Sequence, residues 1–273
     1  APGMISIRNQ FKGPNFATVS ACASSTNALI DALNYIKMDY ADVIVTGGSE
    51  AAITCAGIGG FNAMHALSTR NDDPKTASRP FDRDRDGFVL GEGSGAIILE
   101  EYEHAKNRNA KIYAEFIGGG LSADAYHMTA PHPEGTGAKS VMINALKNSK
   151  ISHEEVDAIN MHGTSTPLGD ISESKAIKDV FGEHSYNINL NSTKSMTGHL
   201  LGAAGAIEAI SIILSINKGI IPPTINNYNL DNQIDPKLNF TILKSQKRNV
   251  NIALSNTFGF GGHNACVVFK KFE

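Results

Sequence analysis

Apolar positions along the chain fall into short runs that alternate with stretches of helical period. Residues 16–19 have the composition of a strand. Residues 24–38 follow with Leu29, Ile30, Leu33 and Ile36 at helical spacing, which predicts a helix. Residues 43–45 predict a buried strand ending at Gly47 and Gly48. Residues 96–99 predict a second, followed by a charged helix over 102–108 and a strand over 113–117. Beyond the loop at 131–137, helices are expected at 141–146, 172–181 and 201–217, and strands at 158–161, 252–254 and 265–269. Such alternation implies an α/β fold in which helices pack in layers on a sheet.

Between these elements lie two segments without periodicity. Residues 68–87 carry ten charged side chains, from Arg70 to Asp86, and on charge pattern alone read equally as a solvated surface loop. Residues 220–236 contain Pro222 and Pro223, which cannot continue a helix. No repeat, low-complexity tract or linker divides the chain.

Composition narrows the function classes. A formal net charge of −3 gives no field strong enough to argue for nucleic acid or an anionic membrane as partner. The longest apolar stretch, residues 206–216, is interrupted by Glu208 and is too short to cross a bilayer. The first residues lack the charged-then-apolar order of a signal peptide. Three cysteines without a CxxC pair make neither a disulfide framework nor a zinc site, and suit a reducing compartment.

Cys22 stands in Val19-Ser20-Ala21-Cys22-Ala23-Ser24-Ser25, where the predicted strand gives way to the predicted helix. Small neighbours leave the sulfur reachable, and the unsatisfied N–H groups of a helix start favour a thiolate and a developing oxyanion. A lone cysteine is otherwise a small core residue, which is the reading for Cys55 and Cys266. His162 follows a predicted strand and opens His162-Gly163-Thr164-Ser165-Thr166-Pro167-Leu168-Gly169-Asp170, with Asp170 as the expected helix N-cap. His199 precedes a predicted helix, five residues after Lys194. Among the nine histidines, His65, His104, His153 and His184 read as surface residues, while His127, His132 and His263 stay ambiguous. His162 and His199 lack the spacing and carboxylates of a zinc site. One thiol with two histidines in glycine-rich loops suggests acyl transfer through a thioester.

Four ordered motifs carry a resemblance. They are the Cys22 segment, His162 to Asp170, Lys194-Ser195-Met196-Thr197-Gly198-His199-Leu200-Leu201-Gly202-Ala203-Ala204-Gly205, and Asn256-Thr257-Phe258-Gly259-Phe260-Gly261-Gly262. The run from Arg79 to Glu92 matches as well. Together they resemble the elongating β-ketoacyl-acyl-carrier-protein (ACP) synthases, type II more than type I, over essentially the whole chain. The resemblance implies a thiolase-like layered α-β-α-β-α fold with its first half incomplete. Residues 1–120 would be the remainder of the N-terminal half and 121–273 the C-terminal half of one ketosynthase region. It also implies a catalytic triad of Cys22, His162 and His199, ordered by Lys194. Backbone N–H groups of Cys22 and Phe260 would form an oxyanion hole, Thr164 and Thr166 would hold the phosphopantetheine arm, and Phe258, Phe260 and Gly261 would line and gate the acyl pocket.

The implied reaction is a decarboxylative condensation of malonyl-ACP with an acyl group on Cys22, as in fatty-acid elongation. No cofactor is required. A structural Na⁺ or K⁺ would sit among Asn160, Glu173, Glu208, Ser255 and Asn256, although Glu208 reads equally as the salt-bridge partner of Lys194. The implied partners are ACP and a second copy of the chain paired through residues 16–20, with no nucleic acid and no membrane. The implied setting is the cytoplasm or a plastid stroma. Family members carry a substantial segment before the nucleophile strand, whereas fifteen residues precede Phe16 here. The expectation is a fragment, or a fold completed by another chain, with unpaired strand edges. The alternatives are a polyketide-type ketosynthase, a non-catalytic chain-length-factor partner, which would lack the nucleophile, and an inactive interaction module.

Overall fold

A computed structural model describes residues 1–273. The chain opens with helices α1 (Pro2–Asn9) and α2 (Ser24–Lys37), strand β1 (Val43–Glu50), helix α3 (Cys55–Ala63), strand β2 (Gly93–Glu100) and helix α4 (Tyr102–Asn107). Strand β3 (Glu115–Ala123), α5 (Thr136–Ser149), β4 (Ala158–Asn160), α6 (Pro167–Phe181) and β5 (Asn189–Asn191) come next. Then follow α7 (Lys194–Thr197), α8 (Ala204–Lys218), the short β6 (Ile220–Ile221) and β7 (Gln246–Lys247), and the long β8 (Ile252–Gly259) and β9 (His263–Lys270).

The main sheet has five strands in the order β3-β9-β8-β4-β5, with β4 parallel to β5 and β8 and the other pairs antiparallel. Both of its faces are buried, and side-chain alternation sorts the residues between two cores. Ile159, Leu254, Cys266 and Val268 face α5 and α6, where Val141, Met142, Ile177 and Phe181 meet them. Ala158, Ala253, Ala265, Val267 and Phe269 face α2 and α8, against Leu29, Ile30, Ala209, Ile212 and Ile216. On the far side of α2 and α8 lies the β1–β2 ribbon, whose Ile44, Ile97 and Leu99 pack against Ala32 and Leu33. The order of layers is therefore helix, sheet, helix, ribbon. Gly120 lets α5 approach β3 closely, since a Cβ there would lie 2.2 Å from the Val141 carbonyl oxygen.

Several expectations change. Residues 16–19 form no strand, and no segment of the chain pairs with them. The strand expected at 43–45 continues to Glu50, and it is not buried. Val43, Val45 and, across the ribbon, Ile98 form an outward face, with Ile98 64% exposed. The periodic reading did not anticipate α1 and α3, neither of which buries a residue, or the three-residue β5. The apolar stretch expected to be too short to cross a bilayer belongs to a helical segment, Leu201–Lys218, that is long and apolar enough to do so by length and composition. It lies in the central helical layer between sheet and ribbon, with Glu208 buried inside it.

The largest correction concerns residues 68–87. Part of the charged run is no solvated loop, and three of its ten charged residues are buried. Arg79, Phe81, Asp82 and Arg85 are buried, because the arginines meet carboxylates: Arg79 reaches Asp82 at 3.7 Å, and Arg85 reaches Asp231 at 2.7 Å and Asp170 at 3.3 Å. Asp170 is accordingly not the N-cap of α6. That place belongs to Thr166, and Asp170 lies in the first turn, accepting the Phe81 N–H at 2.8 Å.

Candidate active site

The turn before α2 holds Cys22 at the junction of two structural layers. Ala21 adopts a left-handed backbone (φ 49°), a conformation costing about 1–2 kcal/mol for a non-glycine residue. Gly259 packs on this turn so closely that a Cβ there would come within 2.8 Å of the Ser20 carbonyl oxygen. The end of β8 is thereby pressed against the nucleophile, and the Phe260 N–H joins that of Cys22 beside the sulfur.

His199 lies in the loop between α7 and α8, and its Nε2 is 3.1 Å from Cys22 Sγ. The Leu201 N–H points at His199 Nδ1 at 3.3 Å, making that nitrogen the acceptor and leaving the proton on Nε2. His162 leaves the end of β4 and stands edge-on to His199, ring centroids 5.3 Å apart. Its Nδ1 faces the Lys194 ammonium at 3.4 Å. An ammonium can only donate, so His162 also keeps its proton on Nε2. Burial, reinforced by the Lys194 charge, holds both imidazoles well below their ordinary range. The site thus presents two neutral rings as N–H donors.

Cys22 departs from the expected thiolate. Burial pushes its thiol up to about 11, while Lys194 and the N–H groups of Phe260 and Cys22 pull the other way without reversing it. At rest the sulfur is a thiol surrounded by groups that favour the anion once it forms.

Lys194, in the first turn of α7, is almost fully buried and pairs with Glu208 of α8. Burial raises Glu208 to about 7 even against the downward pull of Lys194. Glu173 of α6 accepts the main-chain N–H groups of His162 and Gly163, both at 2.9 Å, and so fixes the His162 turn. Burial raises it to about 7 against these donors.

Asn160 Oδ1, Glu208 Oε2, Ser255 Oγ and Asn256 Oδ1 are buried with no hydrogen-bond partner. Asn160 and Ser255 are register neighbours on β4 and β8. Each orphaned polar atom costs about 1–3 kcal/mol, and an oxygen-ligated cation would satisfy them. These residues fit such an ion. The Lys194 pairing uses only Glu208 Oε1, so the two readings of Glu208 coexist.

Above the histidines opens a cleft of about 380 Å³, lined by Cys22, His162, His199, Thr164, Thr166, Phe258 and Phe260 among others. The hydroxyls of Thr164 and Thr166 are 3.0 Å apart. Gly261 has φ 86°, a backbone region that favours glycine, and its N–H donates to the Met128 carbonyl at 2.7 Å. His65, His127 and His132 also reach the cleft, whereas Cys55 is exposed and Cys266 is buried in the sheet. Sequence reasoning missed an aromatic wall: Phe88 stands edge-on to His199 and to Phe61, with centroids 5.3 Å away in each case. Phe88 lies in the run from Arg79 to Glu92, but nothing in its spacing signals the contact.

Known proteins resemble this chain over its whole length. Residues 1–105 match the model of the β-ketoacyl synthase N-terminal domain, and residues 113–228 that of the C-terminal domain. The chain is 52% identical over 273 residues to 3-oxoacyl-[acyl-carrier-protein] synthase 2 of Synechocystis sp., and 50% identical over 271 residues to the protein of that name from Coxiella burnetii. It spans 65% of the length of each of these relatives, which cover 100% and 99% of it. The solved AntDE:AntF complex, a type II PKS acyl-carrier protein with its ketosynthase bound to the hexaketide, superposes with a TM-score of 0.97 at 38% identity. That match covers 100% of this chain and 67% of the other. The layered architecture is that of the ketosynthases. With both domain models matched in order and a cysteine set against two histidine N–H donors, the chain belongs to the β-ketoacyl synthase family.

Proposed function

We propose that this chain carries the machinery for decarboxylative condensation of malonyl-ACP with an acyl group on Cys22, the elongating step of fatty-acid synthesis. The observation that carries the reading is the convergence of Cys22 Sγ and two neutral imidazole N–H donors at one end of the cleft. The relatives at about half identity, named 3-oxoacyl-ACP synthase 2, support the fatty-acid assignment.

In the first step Cys22 sulfur attacks the acyl-ACP thioester carbon. The N–H groups of Cys22 and Phe260 receive the developing oxyanion. The tetrahedral adduct collapses, the pantetheine thiolate leaves, and the thiol proton goes with it. Malonyl-ACP then binds with its thioester oxygen toward His162 and His199. The bond from the α-carbon to the carboxylate breaks, CO₂ departs, and its electron pair becomes an enolate whose oxygen accepts both Nε2–H groups. The enolate carbon attacks the acyl carbonyl, the carbon–sulfur bond to Cys22 breaks, and β-ketoacyl-ACP leaves. The Cys22 thiolate regains a proton from solvent. Donors held neutral by burial suit this step, because a fixed N–H stabilises the enolate without first surrendering a proton.

A polyketide-type ketosynthase is the second reading, favoured by the AntDE:AntF match. The two differ in the acyl groups and carriers they accept. A non-catalytic partner is disfavoured by the intact cysteine and histidines. ACP is the proposed carrier, consistent with the carrier protein present in that solved complex. Two copies are proposed to associate through residues 16–20, where Val19 is 85% exposed and residues 16–19 have no strand partner. Na⁺ or K⁺ is proposed among Asn160, Glu173, Glu208, Ser255 and Asn256. A cytoplasmic or stromal setting is proposed, which free cysteines suit.

Incubation with long-chain acyl-ACP should add one acyl group to the intact mass, and Cys22→Ala should remove that gain. Acylation surviving in the variant would overturn the nucleophile, and no gain at all would overturn self-sufficient catalysis by this chain. Alkylation of Cys22 by iodoacetamide, followed by peptide mass with exposed Cys55 as the accessible reference, should keep accelerating up to about pH 10. A plateau below about pH 7 would mean that the helix start outweighs burial. Melting in K⁺ or Na⁺ should occur roughly 2–4 °C higher than in choline at equal ionic strength. Ser255→Ala should shrink that difference, and identical melting in all three salts would remove the cation. Sedimentation should give a dimer at micromolar concentration, and a stable monomer would contradict the association.

A further inference from the structure

The buried part of the charged run has no role in the reaction steps above, yet it grips the loop that bears the cleft hydroxyls. Arg85 donates from Nε to the Thr166 carbonyl at 3.1 Å and from Nη2 to the Pro167 carbonyl at 2.7 Å. Its Nη1 donates to the Asp82 carbonyl and to Asp231, both at 2.7 Å. Asp170, in the first turn of α6, lies 3.3 Å from Nε and also receives the Phe81 N–H. Ser165, between the two threonines, is held at φ 69° by hydrogen bonds from the Arg79 and Gly87 N–H groups at 3.0 and 3.1 Å.

A guanidinium with a 1% exposed side chain is costly to bury, and packing alone could be met by an apolar side chain. Each of its nitrogens instead makes a hydrogen bond, two of them to carbonyls of the residues that set the hydroxyl pair. Only a planar fork reaches these acceptors at once. We infer that Arg85 is a positioning residue, which clamps residues 163–167 so that Thr164 and Thr166 face the cleft as a fixed hydroxyl pair for the amide-bearing pantetheine arm of the substrate. The inference rests on the proposed function, since it takes the arm as the ligand of that pair.

The test uses pantetheine with its sulfur capped as a methyl thioether, so that the probe does not itself consume iodoacetamide, and reads its protection of Cys22 against that reagent. Without pantetheine, Arg85→Lys should alkylate at the wild-type rate, because the clamp does not touch the sulfur. The half-protecting concentration should rise about tenfold, as expected for lost charge-assisted hydrogen bonds. The Thr164→Val, Thr166→Val double variant should raise it similarly, and adding Arg85→Lys to that background should raise it no further. A merely structural arginine would give additive effects. Should Arg85→Lys fail to fold, Asp231→Asn loosens the same guanidinium and should raise the half-protecting concentration several-fold. Unchanged protection in a folded variant, or additive effects, would overturn the clamp. A wild-type protein that pantetheine does not protect would overturn the proposed function itself, and the clamp with it.

Discussion

The Lys194 ammonium is the charge around which the site is arranged. It is buried where α7 meets the ends of β4 and β8, paired with Glu208 from the central helical layer and aimed at His162. An unpaired ammonium at this depth would be prohibitively costly, so Glu208 must stand opposite it. That requirement ties α8 to the sheet. The same charge fixes the His162 tautomer, disfavours protonation of both imidazoles, and favours the anionic form of Cys22. One buried cation thereby acts on three reacting groups on three separate elements, with burial on the imidazoles and against burial on the thiol.

Around it the polar floor holds main chain more than side chain. Glu173 grips two successive N–H groups at the His162 turn, and Gly259 brings the β8 end against the Cys22 turn. The first fixes the turn that carries His162, and the second fixes where the Phe260 N–H points, which oxyanion stabilisation requires. The Arg85 cluster extends the pattern outward, since its guanidinium also binds carbonyls of a loop facing the cleft. Buried charge in this protein serves to orient backbone that hydrophobic packing would leave loosely specified.

The resting thiol and the donor histidines suit a sequence of charge states. An acyl thioester needs a transient thiolate and an enolate needs hydrogen bonds, but neither needs a permanently charged imidazole. A cleft dry enough to raise Cys22 to about 11 also strengthens every fixed dipole once charge develops within it.

Periodicity and ordered motifs are local properties, so the alternation of helices and strands was legible along the chain, and so were Cys22, His162, His199 and Lys194 as candidates. Leu29, Ile30 and Leu33 already marked the buried face of α2, and the closing strands at 252–254 and 265–269 were legible as apolar runs. Only the tertiary structure decided what long-range contact controls. Residues 16–19 needed a neighbouring strand, and the chain offers none. Arg79 and Arg85 looked solvated until carboxylates far along the chain, such as Asp231, came beside them. The state of the Cys22 thiol depended on burial, which competes with the helix start and leaves no trace in the local motif. The tautomers of His162 and His199 rest on Lys194 and the Leu201 N–H. In each case the deciding term is the energy of placing charge or hydrogen-bonding groups in a particular buried setting, and that setting exists only once the layers have packed.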